Sequence, residues 1–281
     1  MIDKFFKWHD RWFLRVLGTC LLIFFGSLLC SSCLGDIHSL TRDVTYLADD
    51  ARRGRAPGSP GMVQSQRYVI ASLRAVGFIP VTQPVGNCRN VIGVVEGSQP
   101  ESYVVVGAHL DHLGVVRGRI QNGADDNASG SAVLLELARR AVTVSPRRTI
   151  HFVWFTAEER GLVGSKAYVD AMPRLPVLMI NMDMVGRLRD NLNRHRATSG
   201  RIGYLFEKYP FASRITYRSP LSSDCRSFAG CGVPTLSLHT GLHNIYHTSR
   251  DDTETLDFRG LDQISNYACD LLHHVAGFDK K

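Results

Sequence analysis

Cysteine is scarce in the part of this chain that follows residue 33. Four of the seven cysteines lie there, Cys88, Cys225, Cys231 and Cys269, and none of them has the C-x2-C spacing typical of a cysteine-based zinc site. Cys225 and Cys231 flank a predicted helix over residues 223–229, where six residues span about 9 Å. A disulfide bridges only about 7 Å between Cα atoms. We therefore expect four buried free thiols.

The chain also lacks a long run of basic residues. Its formal net charge is +7, of which +2 comes from the first 33 residues, with four Lys/Arg and two Asp. The remaining positive charge is spread over isolated arginine pairs such as Arg52-Arg53. No basic patch is interleaved with aromatic residues, as nucleic-acid-binding surfaces often are. We expect a solvated basic surface and no nucleic-acid partner.

The one long apolar run is too short for a typical membrane-spanning helix. Residues 16–30 are apolar over about 15 positions, whereas a span needs about 20. The run follows four basic residues, Lys4, Lys7, Arg11 and Arg15. A basic segment before a short apolar segment is typical of a signal peptide.

Small residues precede Cys33 in the segment L-C-S-S-C at positions 29–33. The segment is similar to a bacterial lipoprotein cleavage site, after which Cys33 would carry the lipid, although Cys30 stands where that pattern usually has leucine. An uncleaved membrane anchor and ordinary secretion are the alternatives. We expect residues 1–33 to be a leader or anchor. The rest would then be exported to the cell envelope, attached to a membrane through Cys33 or released as a periplasmic or secreted protein.

Residues 34–281 contain no internal repeat and no interdomain linker, and predicted strands alternate there with predicted helices. The predicted strands cover residues 78–82, 90–96, 103–108, 149–155, 177–182 and 234–239. The predicted helices cover residues 37–53, 62–76, 128–144, 162–172 and 258–276. This alternation predicts a single globular α/β domain with a mixed, centrally parallel sheet flanked by helices.

Five potential metal ligands occur in this domain, at strand ends or in the adjoining loops. They are His109, Asp126, Glu159, Asp183 and His247. Because the carboxyl ends of parallel strands meet at one edge of a sheet, we expect these side chains to converge. Two imidazoles and three carboxylates suit a pair of Zn²⁺ ions, since one carboxylate can bridge two metals about 3.5–4 Å apart.

The motifs around these ligands resemble peptidase family M28, whose zinc peptidases include bacterial aminopeptidases with two co-catalytic zincs. The motifs are HLDH at 109–112, GADDNASG at 123–130, AEERGLVGS at 157–165, NMDMVG at 181–186 and YHT at 246–248. The resemblance runs from about residue 40 to the final helix. It implies the zinc-aminopeptidase fold and peptide substrates.

The resemblance also implies a role for each ligand. Asp126 would bridge two zinc ions. His109 and Asp183 would complete one zinc site, and Glu159 and His247 would complete the other.

Three further residues have roles implied by the resemblance. Glu158 is similar to the general base of the family. Asp111 would accept a hydrogen bond from the free ring nitrogen of His109. Tyr246 would donate to the developing oxyanion or would only pack beside the site. His112 is expected to be a neighbour of the site and not a ligand.

The implied reaction is the removal of N-terminal residues from peptides by a water that two zinc ions activate, with Glu158 as base. A carboxypeptidase or dipeptidase is an alternative, because Arg187 or Arg189 could meet a substrate carboxylate. A glutaminyl cyclase is another, although cyclases that resemble this family use one zinc. A non-catalytic binding domain is disfavoured because all ligand positions are filled. The spacing leaves open whether Asp251 or Asp252 supports His247.

Overall fold

A computed structural model describes residues 36–188 and 223–277. The predicted leader, residues 1–33, and Arg189 lie outside these ranges, so the expectations for them stay predictions. Among the helices within these ranges, none is both long and apolar enough to cross a membrane.

Eight strands lie within the described residues. They are β1 (Val81–Val85), β2 (Cys88–Val95), β3 (Gln99–His109), β4 (Gly114–Val116), β5 (Arg119–Gln121), β6 (Arg148–Phe155), β7 (Leu178–Met182) and β8 (Thr235–Leu238). Six of them form one sheet in the order β1-β2-β6-β3-β7-β8, and β4 and β5 form a separate hairpin. β1, β2 and β6 pair antiparallel, whereas β6, β3, β7 and β8 are parallel. The predicted mixed sheet with a parallel centre is confirmed.

Six α-helices accompany the strands in the described ranges. They are α1 (Ile37–Leu47), α2 (Pro60–Ala75), α3 (Gly130–Ala141), α4 (Val163–Asp170), α5 (Cys225–Ala229) and α6 (Phe258–Ala276). Side-chain caps fix several of their starts. The Ser59 hydroxyl accepts a hydrogen bond from Met62 N at 3.2 Å, and Pro60 follows it in the first turn of α2, as is favourable at a helix N-terminus.

The first helix is shorter than predicted. α1 ends at Leu47, and the Asp49 carboxylate accepts a hydrogen bond from Ala51 N at 2.8 Å, which begins a short 3₁₀ segment at Asp50–Arg55. Arg53 and Gly54 then have φ of 47° and 68°. A side chain at Gly54 would collide with the Gln121 carbonyl. The predicted helix over 37–53 is therefore wrong beyond Leu47, because Asp49 caps a new turn.

The hairpin of β4 and β5 was not predicted because each strand has only three residues. Its turn is Arg117-Gly118, and both residues have positive φ, 51° and 78°. Two consecutive residues of this conformation are characteristic of a tight hairpin turn. Gly118, a residue type that readily adopts positive φ, was the available sequence signal for this turn.

The sheet has a hydrophobic core on each face. Val104 and Val106 of β3 pack in the larger core, with residues of α1, α2, α3 and α6. Val105, between them, packs in the second core with Tyr168 of α4 and Phe228 of α5. Burial on both faces explains why the central strands are apolar at nearly every position.

The four cysteines in the described ranges are free. Cys225 and Cys269 are buried, as expected, but Cys88 is partly exposed and Cys231 is exposed. The expectation of four buried thiols is thus wrong for two of them. Cys231 lies just beyond the end of α5, where the chain turns at the surface.

Candidate active site

Three parallel strands deliver potential ligands to one edge of the sheet. His109 is the last residue of β3, Glu158 and Glu159 follow β6, and Asp183 directly follows β7. Asp126 lies in the irregular turn that leads into α3. Because parallel strands end at the same edge, the topology gathers residues that are far apart in sequence.

One group of potential ligands consists of His109, Asp126 and Asp183. His109 Nε2 lies 3.3 Å from Asp126 Oδ1 and 3.3 Å from Asp183 Oδ1. All three residues are buried, and their ligand atoms lie within 4.8 Å of one another.

A second group contains the other oxygen of Asp126, together with His112, Glu159 and His247. His247 Nε2 lies 3.0 Å from Asp126 Oδ2 and 3.4 Å from Glu159 Oε2. His112 Nδ1 lies 2.8 Å from Glu159 Oε1. Asp126 thus belongs to both groups through different oxygens. Imidazole nitrogens and carboxylate oxygens converging in this way fit zinc.

Buried carboxylates control the protonation of the first group. Burial lowers the pKa of His109, but Glu158, Asp126 and Asp183 raise it more, so this pKa stands well above its ordinary value. Burial raises the pKa of Asp126, yet hydrogen bonds from His109 and His247 bring it well below its ordinary value. Without a metal ion, imidazolium protons would balance the carboxylate charges.

Hydrogen bonds between imidazoles and carboxylates also shift the pKa values of the second group. Burial raises the pKa of Glu159, but hydrogen bonds with His112 and His247 lower it to about 2. Burial lowers the pKa of His247, but hydrogen bonds with Asp126 and Glu159 raise it to about 10. A cation bound here would therefore displace protons from the imidazoles.

Glu158 differs from its neighbour Glu159. Burial raises the pKa of Glu158 to about 9, and the charges of Asp224, Asp183 and Glu159 add to the rise. His109 opposes the rise. A carboxyl group in such surroundings can hold and release a proton near neutral pH.

Asp111 contacts the site differently from the sequence-based expectation. Its backbone carbonyl, not its carboxylate, lies 3.1 Å from His109 Nδ1. The Asp111 carboxylate accepts hydrogen bonds from Glu158 N at 3.1 Å and from Glu159 N at 3.3 Å. The expected carboxylate–His109 contact is therefore wrong, and Asp111 instead fixes the backbone of the two glutamates.

Asp251 supports the turn that carries Asp126. Its carboxylate accepts hydrogen bonds from Asp125 N at 2.9 Å and Asp126 N at 3.0 Å. Asp252 accepts from its neighbour Thr253 N at 2.8 Å instead. The spacing left open whether Asp251 or Asp252 supports His247. In the structure Asp251 instead hydrogen-bonds the backbone at Asp126.

Arg55 lies beneath the site and was not identified from the sequence. Its guanidinium donates to four backbone carbonyls, those of Leu47 at 2.7 Å, Leu110 at 2.9 Å, Asn122 at 2.6 Å and Gly123 at 2.9 Å. The side chain is 0% exposed. Arginine in a glycine- and proline-rich loop ordinarily indicates a solvated surface, so the sequence held no signal for this burial.

The Arg55 contacts tie together the segments that follow His109 and precede Asp126. Burial lowers the pKa of Arg55 to about 10, while the charges of Asp126, Asp111 and Asp251 oppose the fall. The guanidinium therefore remains charged at neutral pH and partly offsets the negative charge of the site.

Tyr246 and Asp224 complete the surroundings. The Tyr246 ring stacks on His247, with ring centroids 3.7 Å apart and planes at 25°.

Asp224 is fully buried. Burial raises the pKa of Asp224 to about 7, and the charges of Asp111 and Asp183 add to the rise. Next to Asp224, Ser223 Oγ accepts a hydrogen bond from Asn181 Nδ2 at 2.9 Å.

Solved structures share this architecture. An aminopeptidase from Aneurinibacillus sp. strain AM-1 has a TM-score of 0.76 and 17% identity, with 89% of this chain and 96% of that chain covered. A glutaminyl cyclase from Porphyromonas gingivalis has a TM-score of 0.74 and 19% identity, with 86% and 99% covered. At these identities the likeness shows the fold, and the predicted zinc-aminopeptidase-like fold is confirmed.

The sequence similarity to curated relatives covers only part of the length of each relative. Leupeptin-inactivating enzyme 1 of Streptomyces exfoliatus is 34% identical over 163 residues, which cover 54% of this chain and 36% of that protein. Leucine aminopeptidase 2 of Trichophyton equinum is 31% identical over 207 residues, covering 64% and 40%. Aminopeptidase YwaD of Bacillus subtilis is 27% identical over 213 residues, covering 69% and 46%. The chain thus spans less than half the length of these relatives.

The family assignment follows from a longer match. The sequence profile of Peptidase family M28 matches residues 90–272, which include all five potential ligands and Glu158. Because this match covers well over half of the 281 residues, the chain belongs to peptidase family M28.

Proposed function

We propose that this protein is an aminopeptidase that holds two zinc ions and removes N-terminal residues from peptides. The observation that carries the proposal is the division of Asp126 between two ligand groups. Its Oδ1 lies beside His109, and its Oδ2 lies beside His247. One carboxylate that serves two metals is the arrangement found in two-metal hydrolases.

Each ion would have its own protein ligands in addition to Asp126. His109 and Asp183 would hold one ion, and Glu159 and His247 would hold the other. Bound zinc would supply a Lewis acid and lower the pKa of a bound water towards about 7.

Glu158 would move the proton in this reaction. Its carboxyl group would take a proton from the attacking water and pass it to the leaving amine. The backbone of Glu158 is fixed through the Asp111 carboxylate, and its burial supports a pKa suited to proton transfer. We assign Tyr246, whose ring stacks on His247, as the donor to the developing oxyanion.

The charge of the site supports a preference for a free N-terminus. Zinc would neutralise the carboxylates of Asp126, Asp183 and Glu159, whereas Glu158 and Asp224 are not among the proposed ligands and would remain available to a substrate ammonium or amine. Relatives named as aminopeptidases support the same substrate class.

A substrate panel combined with metal analysis tests the proposal. The zinc-loaded protein would be offered aminoacyl amides, N-blocked peptides and peptides with N-terminal glutamine. We expect two zinc ions per chain and cleavage of substrates with a free N-terminus only. Equal cleavage of N-blocked peptides would contradict an aminopeptidase. Cyclisation of glutaminyl peptides with one bound zinc would favour a glutaminyl cyclase instead.

We also propose that the protein is exported and attached to a membrane through Cys33. The support is the basic and apolar pattern of residues 4–30 and the small residues before Cys33. Mass spectrometry of the mature protein would show a lipidated Cys33 at its N-terminus. An unmodified N-terminal residue downstream of Cys33 would contradict the attachment.

A further inference from the structure

His112 belongs to the second group of potential ligands but is not one of the five ligands predicted from the sequence. Its side chain is 0% exposed. Its Nδ1 is 2.8 Å from Glu159 Oε1 and 3.7 Å from Asp126 Oδ2. His112 could therefore bind the second metal ion directly, or it could act on that ion only through Glu159.

Direct binding would change the character of the second site. With Asp126, Glu159 and His247, His112 would make four protein ligands for one zinc ion. Zinc with four protein ligands is tetrahedral and closed, as in structural sites, whereas catalytic zinc keeps a position open for water or substrate.

The two oxygens of Glu159 face different partners. Oε2 lies 3.4 Å from His247 Nε2, which in turn lies 3.0 Å from Asp126 Oδ2. Oε1 is the oxygen that meets His112. His247 Nε2 thus contacts both Glu159 Oε2 and Asp126 Oδ2. His112 Nδ1 lies within 4.8 Å of the other ligand atoms, but it is nearest to the opposite oxygen of Glu159 and farther, at 3.7 Å, from Asp126 Oδ2.

The other ring nitrogen of His112 also argues against direct binding. Nε2 is buried and has no hydrogen-bond partner among the described residues. If Nδ1 bound a metal, the ring proton would sit on Nε2 and would lack an acceptor there. With the proton on Nδ1, the ring donates it to Glu159 Oε1.

The ring has little freedom to turn away from Glu159. Gly123 lies so close to it that a Cβ on this glycine would be 2.5 Å from the His112 Cγ and Cδ2 atoms. On another side lies the His247 ring, edge-on with centroids 5.7 Å apart. The Nδ1–Glu159 contact is thus held by packing.

We infer that His112 is a positioning residue of the second zinc site. It donates its Nδ1–H to Glu159 Oε1 and leaves Oε2 to bind the metal. Glu159 then binds through one oxygen, and one coordination position stays open for water or for the substrate amine. This inference rests on the proposed two-zinc function. Hydrogen bonds of this kind to metal-binding side chains typically change metal affinity by about 10- to 100-fold.

Two substitutions separate the hydrogen bond from the bulk of the side chain. His112→Asn keeps a donor close to the position of Nδ1, and His112→Leu keeps similar volume without a donor. Zinc affinity of each full-length protein, stripped with a chelator, would be measured by competition with a chromophoric chelator. We expect His112→Leu to weaken the second zinc by about 10- to 100-fold, the first zinc to be unaffected, and His112→Asn to stay close to wild type.

X-ray absorption spectroscopy of the zinc-loaded wild type gives an independent result that needs no variant. If only His109 and His247 are ligands, each zinc ion binds one imidazole, and the average is one imidazole per zinc. If His112 also binds, three imidazoles give an average of one and a half, which would overturn the inference. Unchanged affinity for the second zinc in His112→Leu, or an equal loss in His112→Asn, would overturn it too.

The outcomes also distinguish the inference from the proposal on which it rests. A wild-type protein that binds a single zinc would contradict the two-zinc site and the role of His112 together. Two zinc ions with affinities that do not respond to His112→Leu would contradict the role of His112 alone. Circular dichroism of the metal-stripped variants would show whether they fold. If His112→Leu does not fold, the wild-type X-ray absorption spectrum still decides whether His112 binds zinc directly.

Discussion

Glu158 and Glu159 are adjacent in the sequence, yet their carboxyl groups have opposite pKa shifts. Burial raises the pKa of Glu158 to about 9. Burial acts on Glu159 in the same direction, but hydrogen bonds with His112 and His247 lower its pKa to about 2. Paired carboxyl groups in different surroundings divide acid–base work and charge stabilisation between them. The structure thus supports Glu158 for proton transfer and Glu159 for metal binding.

Replacing Glu158 by glutamine should separate catalysis from metal binding. We expect Glu158→Gln to keep its zinc and to lose about two to four orders of magnitude in kcat, the share that general acid–base catalysis supplies. Zinc content and aminopeptidase turnover would be measured on the same preparation. The matched control is Glu101→Gln at an exposed position of β3, which should leave both unchanged. Turnover close to wild type in zinc-loaded Glu158→Gln would refute the assigned role.

At the residue scale, the convergence of the potential ligands was easier to predict from the sequence than the groups that support them. His109, Asp126 and Asp183 stand in motifs at strand ends, so their convergence followed from the topology. The contact of Asp111 with His109 was predicted incorrectly, because loop geometry decides whether the backbone carbonyl or the carboxylate of Asp111 meets the imidazole. Arg55 was missed because only tertiary packing buries it.

At the scale of elements, the short segment Asp50–Arg55 connects the first two helices to the ligand loops. It exists because Asp49 starts a new turn where a longer α1 was expected. The segment places Arg55 where its guanidinium reaches the carbonyls of Leu110 and Gly123. Helix periodicity carries no information about such a turn, so the prediction failed at this point.

Removing the Arg55 guanidinium should destabilise the protein and weaken metal binding. Arg55→Met would remove one hydrogen bond from each of four buried carbonyls and would uncover the negative charge of the site. We expect the free energy of unfolding to fall by at least about 3 kcal/mol, the scale for breaking a buried charged network. Urea unfolding and zinc titration would measure both effects.

Arg53→Met is the matched control, since Arg53 is exposed two residues away and should change stability by less than about 0.5 kcal/mol. A loss below about 1 kcal/mol in Arg55→Met would show that Arg55 does not organise the ligand loops.

At the scale of the whole molecule, the site makes the stability of the metal-stripped protein depend on pH. The pKa of Glu158 rises from 4.5 to about 9, that of Asp224 from 3.8 to about 7, and that of His247 from 6.5 to about 10. Each group binds protons more tightly in the folded state. Its contribution to stability is therefore complete below the unfolded pKa and is lost as pH rises through the folded pKa.

The pKa shift of Glu159 has the opposite sign, but it affects stability in another pH range. Its folded pKa of about 2 lies below its ordinary value of 4.5, so its contribution is complete above about pH 4.5 and is lost only in stronger acid. It does not offset the other groups between pH 6 and 9.

We therefore expect the metal-stripped protein to lose stability as pH rises from 6 to 9. Bound zinc should flatten this dependence, because metal binding requires deprotonated ligands and releases their protons. Urea unfolding midpoints, recorded with and without zinc between pH 6 and 9, would measure this pH dependence of stability. A midpoint of the stripped protein that rises with pH would contradict the assigned proton balance.

Over the whole molecule, the mixed sheet and its parallel centre were predictable because β3, β6 and β7 are apolar runs separated by helical segments. The edges of the sheet were less well predicted. β1 begins at Val81, three residues after its predicted start, since pairing with β2 fixes its register. The hairpin of β4 and β5 depends on a turn and not on hydrophobic alternation. What the sequence could not provide is the set of contacts between loops.

The most direct test of a two-zinc site built around Asp126 is a crystal structure of the zinc-loaded protein with anomalous scattering recorded at the zinc absorption edge. We expect two anomalous peaks, both in contact with Asp126, one of them beside His109 and Asp183 and the other beside Glu159 and His247. A single peak, or a second peak away from Asp126, would contradict the two-zinc site.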